Sequence, residues 1–166
     1  MTTVPAERPR LVPALLLAAV VFGALDAFWL TVGSGALYDE QIGHLLAESP
    51  DAGAAVAFYV VYLLGFTHFV LRPALEARSR TRGLRDAAAF GLVTYATFDL
   101  TAMAVFRDVP LVVVLVDLAW GTVLCTVTAA VVLGVLLRRG PAPDPTRQRF
   151  FGGSGKNIDV RSMYSG

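Results

Sequence analysis

LVVVLVDLAWGTVLCTVTAAVVLGVLLRR, residues Leu111–Arg139, is an apolar run long enough to cross a bilayer. It nevertheless carries Asp117 and, one helical turn on, Trp120. Leu11–Val32 repeats the arrangement with Asp26 and Trp29, and Asp99 stands in a third such run. At 1.5 Å per residue, about 20 residues cross the ~30 Å hydrocarbon layer. Four blocks of the chain reach that length, at about residues 11–33, 52–75, 84–106 and 111–138. The fold class this predicts is an all-α membrane protein, a bundle of four transmembrane helices.

Composition agrees. The 166 residues are 55% hydrophobic and only 16% charged, with a mean hydropathy of +0.61. A soluble domain scatters its polar residues at helical or strand spacing, whereas here they are pooled between apolar blocks. Four crossings use most of the chain, so no sizeable soluble domain remains. The expected organisation is a short polar segment at 1–10, a transmembrane domain at 11–139 and a disordered Pro-, Gly-, Ser- and Arg-rich tail at 140–166. The first apolar run continues past Asp26 to Val32, which reads as a span rather than a signal peptide. A formal charge of +1 gives no reason to propose nucleic acid. Cys125 is the only cysteine, so an intrachain disulfide is impossible, and its position suits packing.

The loops predict orientation. Ser34–Asp51 bears four carboxylates and no Lys or Arg, with Leu37, Ile42, Leu45 and Leu46 at loosely helical spacing, as for a segment lying along the membrane surface. Arg78, Arg80, Arg82 and Arg85 crowd the connection between spans two and three, and Arg8, Arg10, Arg138 and Arg139 flank the outer spans. The positive-inside rule places all three basic segments in the cytoplasm, in a multi-pass protein of the inner membrane. Alternating spans require those segments to share one side, so topology and charge agree. Anionic lipid at Arg78, Arg80, Arg82 and Arg85 is the partner that this charge suggests. Arg107–Pro110 is short enough that spans three and four form a hairpin.

Counting residues from the outer ends places Asp26, Asp99 and Asp117 at one level, roughly 9–11 Å below the outer boundary, with Tyr59 beside them. An Asp near the middle of an inserted helix costs about 2.5–3.5 kcal/mol, which favours acids that face one another over acids that face lipid. Trp29 and Trp120 follow their acids at i+3, Tyr95 precedes Asp99 by one turn, and Gly23 and Gly121 allow close backbone approach. The site expected from these residues is Asp26, Asp99, Asp117, Trp29, Trp120, Tyr95 and Tyr59. It would take a cation, protons or a small polar ligand, for transport or permeation. Two other readings stand beside it: an accessory subunit whose acids are structural, and a lipid-modifying enzyme with an Asp as acid or base. No nucleophile motif, metal-ligand spacing, nucleotide loop or cofactor signature accompanies the acids, which weighs against an enzyme and implies no cofactor. Four helices enclose little beyond their own core, so a homo-oligomer or a membrane partner is expected.

Leu25-Asp-Ala-Phe-Trp-Leu30, Tyr95-Ala-Thr-Phe-Asp-Leu-Thr101 and Val116-Asp-Leu-Ala-Trp-Gly-Thr122 lie in three separate spans. Together they resemble a bacterial family of predicted membrane proteins, domain of unknown function 2177, over roughly Leu11–Leu137. The resemblance implies a four-helix integral membrane protein and carries no activity over.

Overall fold

A computed structural model describes residues 10–33, 35–45, 47 and 49–138. The tail at 140–166, most of the 1–10 segment, and Leu46 and Glu48 of the acidic loop lie outside these residues. Within them the chain forms helix α1 (Leu11–Phe28), continued by a π-helical turn at Trp29–Gly33, and a short α2 (Gly35–Ile42). Helix α3 (Ala52–Phe66) runs through a second π-helical stretch at Thr67–Leu71 into α4 (Arg72–Glu76). Two long helices follow, α5 (Arg80–Val105) and α6 (Leu111–Arg138). Four helices are long and apolar enough to cross a membrane, Leu11–Thr31, Ala52–Glu76, Arg80–Val105 and Leu111–Arg138. They make an all-α, membrane-spanning four-helix bundle.

Local chemistry sets the ends of these helices. Asp51 caps α3 by accepting from the Ala54 N–H at 3.0 Å, and Ser79 caps α5 by accepting from Arg82 N–H. The Ser79 cap starts α5 at Arg80, four residues before the span expected at 84. Arg80, Arg82 and Arg85 therefore ride on a helix and not in a loop, and the connection shrinks to Ala77–Ser79. Arg78 turns the chain there in the left-handed region, and Asp108 does the same between α5 and α6.

Packing follows small residues at i+4 spacing. On α1 the buried residues are Ala14, Ala18, Phe22 and Asp26, a single ridge. On α5 they are Gly83, Ala87, Gly91 and Asp99. Each ridge ends in its carboxylate, so an acid points inward wherever its ridge does. Lipid tails are as apolar as leucine, so no hydrophobic drive joins these helices, and close van der Waals fit must supply the attraction. The α5–α6 hairpin has the most extensive fit. A Cβ on Gly91 would collide with the Gly121 carbonyl, and one on Gly121 would collide with the Tyr95 ring. Gly23 differs: among the described residues, nothing beyond its chain neighbours and its own helix backbone lies within 4 Å of where its Cβ would be, so it marks no close approach. Helix α6 also packs on α1 and on the α3–α4 limb, and Leu124, Cys125, Ala129, Val132 and Leu133 fill the middle of the bundle. Cys125 is fully buried, as its position in the fourth apolar run suggested.

Replacing Gly91 with Val should force the α5 and α6 backbones apart, at a cost of about 1–3 kcal/mol or more. Gly23→Ala should leave stability within roughly 0.5 kcal/mol or raise it. Thermal unfolding in detergent, followed by circular dichroism, distinguishes the two; equal melting temperatures would refute the close crossing.

Candidate functional site

Near the ends of the α1 and α5 ridges lies a cavity of about 500 Å³, lined by Asp26, Trp29, Leu30, Tyr38, Phe58, Tyr62, Thr94, Tyr95, Phe98, Asp99, Asp117 and Trp120. Its walls are mostly aromatic. Leu30, Phe58 and Phe98 on its rim are exposed, so the mouth is apolar, as suits a wall facing lipid. Of the expected site residues, six line it; Tyr59 does not, but its hydroxyl donates to Asp26 Oδ2 at 2.5 Å.

The acids are held separately. Asp26 on α1 accepts from Tyr59 on α3. Asp117 on α6 accepts from the Tyr38 hydroxyl of α2, and the Trp29 indole in turn donates to the Tyr38 oxygen at 3.3 Å. Trp29 and Trp120 stack face to face, ring centroids 4.5 Å apart and planes 10° from parallel, tying α1 to α6 at the same level. Asp99 Oδ2 is buried without a hydrogen-bond partner among the described residues, and so is the Trp120 Nε1.

This arrangement overturns the expected three-carboxylate site for a cation, protons or a small polar ligand, and the transport reading that rested on it. Only two of the acids are buried, Asp26 at 8% and Asp99 at 5% exposure, while Asp117 is half-buried. Among the described residues no group of three or more His, Cys, Asp or Glu is placed to hold a metal ion. The physical reason is placement: Asp26 and Asp117 are each oriented by a tyrosine of a different helix, and the three acids are not gathered around one point. A tyrosine O–H supplies the positive end of a dipole to each of two carboxylates, and no shared cation is required to reconcile them.

Several contributors were not singled out from sequence. Tyr38 stood in a loop expected to lie along the membrane surface; part of that loop is helix α2, and Tyr38 reaches Asp117 across 79 residues of chain. Tyr62 faces Thr94 at 3.0 Å and the Cys125 thiol at 3.1 Å, and packs edge-on against Phe90. Tyr62 sits three residues after Tyr59 on α3, the one sequence signal that could have found it. Phe58 and Phe98 carry no sequence signal that separates them from the other apolar residues of their spans. The threonines add little: Thr97, Thr122 and Thr126 bond back to carbonyls of their own helices, while Thr94 does so and also meets Tyr62 of another helix. His68 is exposed at the other end of α3 and takes no part.

Over residues 11–134 the chain matches the family model described as "Predicted membrane protein (DUF2177)". No curated protein and no solved structure matches it.

A hydrogen bond between membrane helices typically contributes about 0.6–2 kcal/mol. Tyr59→Phe should lower stability by that amount, and in a double-mutant cycle with Asp26→Asn the two losses should be less than additive. Strict additivity in reversible unfolding by sodium dodecyl sulfate would show that the Tyr59–Asp26 bond does not join α3 to α1.

Proposed function

This chain belongs to the DUF2177 family of predicted membrane proteins, and we propose that its aromatic cavity receives the head of a lipid-derived amphiphile entering from the bilayer. Asp26 and Asp117 act in this reading as structural acceptors, each engaged by a tyrosine. Asp99 and Trp120 contact the ligand. The observation that carries the reading is the pairing of one unmet acceptor, Asp99 Oδ2, with one unmet donor, Trp120 Nε1, on the wall of a single apolar cavity. An unmatched buried polar group costs about 1–3 kcal/mol, so a ligand that satisfies both gains that energy on binding. Its head must therefore carry a donor and an acceptor, as an alcohol or glycerol ester does. Its body must be apolar to pass Leu30, Phe58 and Phe98. A cavity of this size takes a head group and the start of one chain. Tyr59, Tyr95 and Trp29 shape the pocket: Tyr59 holds Asp26, Tyr95 lies across Gly121, and Trp29 braces Trp120.

The arginine distribution supports an inner-membrane protein with both termini in the cytoplasm. The cavity then opens near the outer leaflet and Ser79 faces the cytoplasm.

Trp29 and Trp120 are the only tryptophans, and both line the cavity, so indole fluorescence reports its contents directly. A dibrominated monoacylglycerol titrated into protein in phosphatidylcholine nanodiscs should quench that emission along a saturable curve. Asp99→Leu should raise the half-saturation point by roughly 10- to 100-fold, the range for losing a hydrogen bond to a charged group. Quenching that rises without saturation, or identical curves for both proteins, would refute the binding site. For orientation, Ser79→Cys should react with a membrane-impermeant maleimide only after cells are opened, and Asp108→Cys should react in intact cells; the reverse pattern would invert the topology.

A further inference from the structure

A second groove lies at the opposite end of the α5–α6 hairpin, where α5 begins and α6 ends. It encloses about 480 Å³, and its floor is Val127, Ala130, Val131, Gly134 and Val135 of α6. Arg80 and Arg138 stand at its mouth, one from each helix. The Arg80 guanidinium reaches across to α6: its Nη2 lies 3.9 Å from where a Cβ on Gly134 would be. Helix α6 thus keeps a position without a side chain under that guanidinium. Val131, on the floor, is exposed.

The basic residues near this end divide into two kinds. Arg72 is paired with Glu76 at 2.8 Å and Arg82 with Asp86 at 3.5 Å, each one turn along its own helix. Arg78, Arg80, Arg85 and Arg138 have no acidic partner among the described residues, and of these only Arg80 and Arg138 line the groove. Two uncompensated guanidiniums therefore flank an apolar trough that runs from the membrane boundary into the hydrocarbon layer.

We infer that this groove binds one anionic phospholipid, its phosphate held between Arg80 and Arg138 and an acyl chain laid along the Val127–Val131–Val135 face. The charge is complementary to a phosphate, and a guanidinium meets phosphate oxygens in a two-pronged geometry that an ammonium cannot. The floor matches a chain and not a soluble anion. The bilayer around the bundle supplies this occupant at high local concentration. The site is independent of the aromatic cavity and of which face of the membrane is cytoplasmic, since both arginines lie at the same end of the hairpin. It also narrows the expectation of anionic lipid at Arg78, Arg80, Arg82 and Arg85: Arg80 lines the groove, Arg78 and Arg85 do not, Arg82 is occupied by Asp86, and Arg138 joins from α6.

The test is competition between phosphatidylglycerol and phosphatidylcholine for the purified protein, read by native mass spectrometry of retained lipid. A basic side chain near an anionic lipid surface contributes about a five-fold preference, and two contribute about thirty-fold. Arg80→Ala with Arg138→Ala should therefore bring the preference for phosphatidylglycerol close to parity, while Arg82→Ala leaves it within about two-fold of wild type. Gly134→Leu fills the trough but keeps both charges, and it should also weaken retention. Melting temperature in phosphatidylcholine alone confirms that each variant is folded. The inference is overturned if the double variant keeps its preference. It is equally overturned if Arg82→Ala loses as much, which would indicate a diffuse charge effect. Displacement of the lipid by inorganic phosphate alone would show an anion site with no role for the chain, and would also overturn it.

Discussion

Hydrocarbon contains no water, so a polar group carried into it must find its partner within the protein. Most features of this bundle answer that constraint. Two carboxylates are met by phenols from other helices, at Tyr59–Asp26 and Tyr38–Asp117, and several threonine hydroxyls return to their own backbone. The bonds between helices join α1 to α3 and α2 to α6. They turn acids that would oppose insertion into crosslinks between elements far apart in sequence. With no hydrophobic drive between helices in lipid, such bonds and the contacts of small residues carry the specificity of assembly.

The same constraint makes the exceptions informative. Four buried side-chain polar atoms are unmatched among the described residues, on Thr67, Asp99, Trp120 and Thr128, and of these Asp99 Oδ2 and Trp120 Nε1 belong to residues that border one cavity. Their helices are the pair locked most closely, through Gly91, Gly121 and Tyr95. The cavity is thus bounded on one side by rigid packing, which holds the two polar atoms in place. Its other side is formed by Trp29, at the start of a π-helical turn, and by Tyr38 of the short helix α2. Such turns are rare in helices and recur at functional sites, where the extra residue per turn redirects side chains. A closely packed wall carrying the polar pair thus faces an aromatic wall built from Trp29 and Tyr38.

Charge at the other end of the molecule follows a different logic. There the groups lie at the boundary, where water and lipid head groups are both available, and arginines need no internal partner. Arg72 and Arg82 have one nonetheless, a carboxylate one turn along their helices. Exposed pairs of this kind contribute little to stability. Of the arginines without such a partner, Arg80 and Arg138 are the two that border the Val127–Val135 trough.

The sequence alone determined the class of object, because span length and the pooling of polar residues depend only on bilayer thickness and on the cost of burying charge. It also pointed to six of the twelve residues that line the cavity, since Asp26, Asp99 and Asp117 are anomalies in apolar runs and Trp29, Trp120 and Tyr95 lie within one turn of them. The packing ridge of α1 was not read there: Gly23 was expected to mark the close approach, whereas Ala14, Ala18 and Phe22 are the buried residues. What the acids do was decided only by tertiary structure. Placing three carboxylates at one depth says nothing about which way each turns, and a partner such as Tyr38, supplied from a loop, changes the chemistry from a shared cation to separate hydrogen bonds. Register between helices, set by where Gly91 meets Gly121, determines which polar atoms are matched and which are left over. Spacing along a single chain carries no information about that register.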